Sequence, residues 1–196
     1  MDSAKAKARC ETYLQRYLRT SPMVTFLIDA MQRSSAKLPN NPACKVPELR
    51  CVPCPEDAAA TGIYEASTHS ILLCENFIEN GLQAEDTMSH ELLHAYDHCR
   101  VYFDDANCQH VACSEIRAAN LSGDCKWSRE LLRGKLFEGG SLHMAGKHKE
   151  CVRRRALISM QSHPACRDCP SHQLVQLVDK VFDVCFADTA PFLDIP

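Results

Sequence analysis

Apolar residues recur at helical spacing in several separate stretches of the chain. Residues 9–33 show this pattern and predict helices broken near Ser21-Pro22, where proline suits a helix start. Over 82–100, Met88, Leu92, Ala95 and Cys99 form one apolar face, which predicts a long helix. A further helix is expected at about 107–121, ending near Ser122-Gly123, where glycine suits a C-cap. Trp127 to Lys135, Cys151 to Met160 and Ser171 to Phe186 also read as helices, the last two joined by a cysteine-rich turn. In the last, Leu174, Val175, Leu177, Val178, Val181, Phe182 and Cys185 form a broad apolar face that marks it as core. Gly62 to Leu73 instead reads as two short strands joined near Ala66-Ser67-Thr68. Ala36 to Asp57 is rich in proline and is expected to be a loop held by cysteines. Glu138 to Lys149 contains Gly139, Gly140 and Gly146 and is expected to be a loop that exposes His143 and His148 to solvent. The pattern predicts an α+β chain, mostly helical with a small antiparallel sheet, and has no internal repeat. Its 196 residues suffice for one domain over 1–196, with 1–50 as a less distinct N-terminal helical extension and loop.

Charge and hydropathy remove some functions. The formal charge is -3, so no general basic excess points to nucleic acid. The best apolar run, Met23 to Ala30, contains Thr25 and Asp29 and falls far short of the ~20 apolar residues needed to cross a bilayer. Membrane association is therefore expected to be peripheral. Lys5, Lys7, Arg9, Arg16 and Arg19 give the N-terminus a faint likeness to a mitochondrial presequence, but Asp2 and Glu11 interrupt it. The run Arg153-Arg154-Arg155 reads as a solvated helix face, with membrane-surface binding as a second reading.

Thirteen cysteines change the picture. One reading is a structural zinc held by Cys51/Cys54 and Cys166/Cys169, but these pairs are too far apart in sequence for a compact ribbon. The favoured reading is a disulfide framework in an oxidising compartment, with the odd count leaving at least one cysteine over. Pairing is not legible, although Cys99 and Cys113 stand where a bridge between two helices is conceivable.

The chemistry concentrates in His90-Glu91-Leu92-Leu93-His94 on the predicted helix over 82–100. A helix turns ~100° per residue, so His90 and His94 share a face one turn apart and can reach one zinc ion. Glu91 lies beside them, placed to act as general base toward the activated water. This pattern predicts metal-assisted hydrolysis of a peptide bond. A catalytic zinc needs a third protein ligand. The metzincin continuation is excluded, because Asp97 and Arg100 stand where its glycine and third histidine would fall. Three candidates stand, Asp97, His98 and Glu115. Asp97 is near but short, and better suited to accept a hydrogen bond from the far nitrogen of a ligating histidine. Glu115, on the following predicted helix, matches the two-His, one-Glu arrangement and is preferred. His98 is rotated off the stripe. His110, just before Glu115, is a candidate oxyanion donor. A substrate is expected to add as an extra strand to the strand preceding the metal helix, at a sheet edge.

Three blocks now point to a family: IYEASTHSILLCEN over Ile63–Asn76, HELLHAYDHCR over His90–Arg100, and HVACSEIRAANLSGDC over His110–Cys125. In this order and spacing, and with Cys151-Val152-Arg153 and the tail from Pro191 to Pro196, the chain resembles the mitochondrial inner-membrane metalloproteases of ATP synthase assembly. The resemblance implies a zincin-like, disulfide-rich zinc endopeptidase of the intermembrane space, peripheral to the inner membrane. It implies that His90 and His94 bind metal and Glu91 is catalytic. It also implies, as partner, the precursor of an ATP synthase membrane-sector subunit, and a role in assembling that sector. The alternative within the same resemblance is a non-proteolytic assembly chaperone.

Overall fold

The computed structural model describes residues 3–58, 60–135 and 144–196. The chain clusters into two compact units, Met1–Phe103 and Asp104–Pro196.

The first unit begins with two helices, α1 (Ser3–Thr20) and α2 (Pro22–Lys37). They break at the expected place. Ser21 caps α2, its Oγ accepting the Val24 N–H at 3.2 Å while donating to Glu85 Oε1 at 2.6 Å. A short 3-10 turn (Pro42–Cys44) leads into strand β1 (Glu48–Val52). Strands β2 (Gly62–Glu65) and β3 (Ser70–Cys74) form the expected hairpin, and helix α3 (Gly81–Arg100) closes the unit.

The sheet corrects two expectations. Its order is β1-β3-β2, with β1 parallel to β3 and β2 antiparallel to it, so it is mixed rather than antiparallel. The strand before the metal helix, β3, is therefore central and not at an edge. Pairing on both sides buries Ser70, Ile71, Leu73 and Cys74. The region read as a cysteine-stapled loop contains β1. Its alternation, with Glu48 and Arg50 exposed and Leu49 and Cys51 half-buried, spans only five residues in a proline-rich stretch, and its pairing is wholly long-range.

The predicted apolar face of α3 is the core of this unit: Met88, Leu92, Ala95 and Cys99 are all buried, and Leu93 with them. The helix starts at Asn80, whose side chain accepts the Gln83 N–H at 3.0 Å. Disulfides Cys10–Cys51, Cys44–Cys99 and Cys54–Cys74 tie α1 to β1, the 3-10 turn to α3, and the β1–β2 connection to β3.

The second unit comprises α4 (Cys108–Leu121), α5 (Trp127–Leu132), α6 (Met144–Ser162) and α7 (Ser171–Ala187). Its core gathers Ile116 and Ala112 of α4, Val152, Ala156 and Met160 of α6, and Leu174, Val178 and Phe182 of α7. Gly123, at φ +90, ends the α4 segment as expected, in a conformation that favours glycine. From Met144 onward the predicted loop is helical instead; its earlier part, with Gly139, Gly140 and His143, lies outside the described residues. His148 is not solvent-facing. Its Nδ1 lies 3.1 Å from the Cys125 carbonyl, and its Nε2 lies 2.7 Å from Asn120 Oδ1.

The arginine run on α6 is neither a solvated face nor a loose basic patch. Arg153 packs over the Phe182 ring at 3.5 Å and faces Asp179; Arg154 bonds both oxygens of buried Glu130; Arg155 bonds buried Asp124. Arg133 joins the same two carboxylates. Two buried acids thus recruit guanidinium groups that sequence spacing alone could not pair. Arg117 is buried on α4 and pairs with Asp188 at 2.8 Å, while donating to the Asp188 and Ala190 carbonyls, which anchors the segment after α7.

Disulfides Cys108–Cys166, Cys113–Cys185 and Cys125–Cys151 complete the framework, leaving Cys169 as the unbridged thiol. The disulfide reading thus holds and the cysteine-zinc reading falls, because Cys51, Cys54 and Cys166 are bridged elsewhere. Cys99 and Cys113 do not bridge to each other; each finds a partner inside its own unit. The Cys113–Cys185 bridge closes a sequence separation of 72 residues, which by loop entropy stabilises the fold by about 4 kcal/mol. Replacing both cysteines by serine is expected to lower stability by about that amount, read as the unfolding free energy from denaturant titrations with the slope fitted for each protein, because the unbridged chain unfolds to a more expanded state.

Candidate active site

Helix α3 carries the site. Its Asn80 cap and its apolar face set the helix rotation, and that rotation puts His90 and His94 one turn apart on the same side. Their ring centroids are 4.8 Å apart at 76° to each other, with both residues half-buried. Two imidazoles brought this close from an i,i+4 pair form half of a tetrahedral nitrogen and oxygen donor set, so the residues fit a zinc ion.

Glu91 is 7% exposed, so this is no ordinary solvated helix face. Its carboxylate is held from outside the helix: the backbone N–H of Tyr64, on β2, donates to Oε2 at 2.8 Å. Strand and helix approach closely here. Thr61 Oγ1 and Thr87 Oγ1 share a hydrogen bond at 2.6 Å. Between them, a Cβ on Gly62 would fall 2.5 Å from Thr87 Cγ2 and 3.5 Å from Glu91 Cγ. Gly62→Ala is therefore expected to push β2 off α3 and destabilise by roughly 1–3 kcal/mol. Adding Thr87→Ser, which removes Cγ2 but keeps the hydroxyl, is expected to recover part of the loss in a thermal melt.

Asp97 is buried at 2% exposure, and its Oδ1 accepts from Arg100 Nε at 2.9 Å. This places the alternative ligand in an ion pair one turn past His94. His98, judged off the stripe, packs its ring against Tyr64 at 5.1 Å and Phe103 at 4.3 Å, so it serves the aromatic packing beside β2. Tyr64 Oη lies 2.9 Å from His69 Nδ1, and His69 Nε2 lies 2.6 Å from the Lys45 carbonyl. A carbonyl only accepts, so Nε2 carries a proton. In the neutral ring Nδ1 is then the acceptor of the tyrosine O–H.

In the second unit, Glu115 sits in the middle of α4 and is 8% exposed. A carboxylate buried to this degree is unusual for a helix surface pair and needs compensation. His110 lies in the first turn of α4, and its Nδ1 accepts the Asp104 N–H at 3.1 Å. In the neutral ring that bond leaves Nε2 as the donor nitrogen. The first unit thus brings His90, Glu91 and His94 together, while Glu115 and His110 belong to the second.

Tyr64 and Gly62 were not found from sequence. The block Ile63–Asn76 contains Tyr64 but not Gly62, and contact between a strand backbone and a helix carboxylate leaves no local periodicity.

Comparison with known proteins settles the class. The model of the Peptidase M76 family matches residues 8–193, which includes the whole His90–His94 motif and Glu115. The chain belongs to the Peptidase M76 family. It is accordingly a peptidase. A relative from Coccidioides immitis, named mitochondrial inner membrane protease ATP23, is 40% identical over 188 residues, covering 95% of this chain and 73% of the relative. One from Mycosarcoma maydis bearing the same name is 39% identical over 206 residues, covering 96% and 92%. A Xenopus laevis protein named as its homolog is 42% identical over 190 residues, covering 96% and 74%. No solved structure matches the chain. Among the described residues, no helix of this peptidase is long and apolar enough to cross a membrane.

Proposed function

We propose that this chain is a zinc metalloendopeptidase of the mitochondrial intermembrane space, peripheral to the inner membrane. In this reading it processes the precursor of an ATP synthase membrane-sector subunit and assists assembly of that sector. The observation that carries the peptidase chemistry is the facing His90–His94 pair with Glu91 buried beside it. Relatives named as mitochondrial inner membrane proteases support the membrane setting. The six disulfides suit an oxidising compartment.

His90, His94 and Glu115 hold the metal in this proposal. Glu115 brings a charged oxygen to two neutral nitrogens, a donor set that zinc accepts, and a divalent cation compensates a buried carboxylate. When bound, zinc supplies a Lewis acid that polarises the scissile carbonyl and makes water a nucleophile near neutral pH. The chain's own groups do the rest. Glu91 takes the proton from the attacking water and delivers it to the departing amine. His110 Nε2–H donates to the oxygen that becomes negative at the tetrahedral stage.

The test is incubation of the purified protein with the synthesised precursor, followed by mass spectrometry. A single shortened product, absent with the Glu91→Gln variant, is expected. An intact precursor with zinc-loaded wild-type protein would reject this substrate.

A further inference from the structure

The strand beside the site does more than border it. The Thr61 carbonyl accepts the Cys74 N–H at 2.9 Å across the β2–β3 ladder. By the alternation of an antiparallel pair, Gly62 and Tyr64 then point their backbone groups away from β3, toward the outer edge. On that edge the Tyr64 N–H donates to Glu91 Oε2.

The geometry points to Tyr64 as a positioning residue whose backbone N–H, on the outer edge of β2, orients the Glu91 carboxylate for proton transfer. The inference rests on Glu91 being the general base. A glutamate side chain has three rotatable bonds, and a carboxylate free to turn loses alignment with its proton donor. The hydrogen bond to Oε2 pins one oxygen and leaves Oε1 to take the proton. The donor itself is rigid. Tyr64 is fixed by pairing with Ile71, by its Oη contact with His69 and by its ring against His98 of the same helix. Gly62 keeps the strand close enough for the bond to form. A second consequence concerns substrate. A peptide adding to this edge does not find the Tyr64 N–H available, because Glu91 holds it.

Comparing Tyr64→Pro with Tyr64→Ala isolates the N–H. Both lose the ring, and only proline loses the donor; an outward-facing edge position is where a sheet tolerates proline. The expected result is a kcat for Tyr64→Pro roughly 10- to 100-fold below that of Tyr64→Ala, at similar KM and equal zinc content. Equal kcat for the two variants would overturn the inference while leaving Glu91 as base, whereas undiminished cleavage by Glu91→Gln would overturn both. Should Tyr64→Pro fail to fold, amide exchange decides. The Tyr64 amide is expected to exchange about tenfold faster in Glu91→Ala than in wild type, with the Leu72 and Cys74 amides unchanged. Unchanged exchange at Tyr64 would overturn the inference independently of any activity.

Discussion

Glu91→Gln is expected to keep the metal and the fold but to lower kcat by roughly 10²- to 10⁴-fold, the contribution of a positioned acid–base group. The substitution preserves volume and leaves a carbonyl oxygen able to accept the Tyr64 N–H, so the strand–helix contact survives. What is lost is the ability to take and return a proton. Zinc content, melting temperature and KM are expected to stay near wild type. Under the proposed function, the same variant separates cleavage from assembly: rescue of ATP synthase assembly with the precursor left uncut would show that binding alone supports assembly. Cleavage by Glu91→Gln at the wild-type rate would remove Glu91 from the mechanism.

The second large effect concerns the metal ligands. His94→Ala removes one of the two facing imidazoles and is expected to lose zinc and, with it, all measurable cleavage. Glu115→Ala is expected to lose more zinc than Asp97→Ala. Asp97 is joined to Arg100, so its removal is expected to lower stability by leaving that guanidinium without its carboxylate, rather than to empty the site. Metal content decides between the two variants: the lower zinc content belongs to Glu115→Ala if Glu115 is the ligand, whereas both variants are expected to melt lower than wild type. A greater zinc loss in Asp97→Ala would transfer the role to Asp97. Loss of bound zinc is also expected to lower the melting temperature, since a ligand that binds only the folded state stabilises it by RT ln(1 + L/Kd), with L the free ligand concentration.

Most of the helices were legible because they carry their own signal; the start of α6, from Met144, was not. Met88, Leu92, Ala95 and Cys99 repeat at the helical period, Ser21-Pro22 marks a break, and Gly123 marks an end. The histidine pair was legible for the same reason, since i,i+4 spacing converts directly into a shared face. What local patterns could not show is whatever depends on distant partners. Strand β1 offers only five alternating residues within a proline-rich stretch, and its place beside β3 makes the sheet mixed. Arg153, Arg154 and Arg155 looked like one solvated run because nothing nearby in sequence announces Asp179, Glu130 and Asp124. The cysteine count announced a framework, but pairing follows from proximity in space, and Cys99 and Cys113 were misjudged on that account. At the site, the hold of the Tyr64 backbone on Glu91 involves no side chain of Tyr64 at all, so no residue pattern encodes it.

The central claim is tested most directly by stripping the purified protein with a chelator and returning zinc stepwise while following precursor cleavage. Cleavage is expected to vanish in the metal-free protein and to return in proportion to added zinc, levelling off at one equivalent per chain. A protein free of measurable metal that still cleaves at the original rate would contradict it.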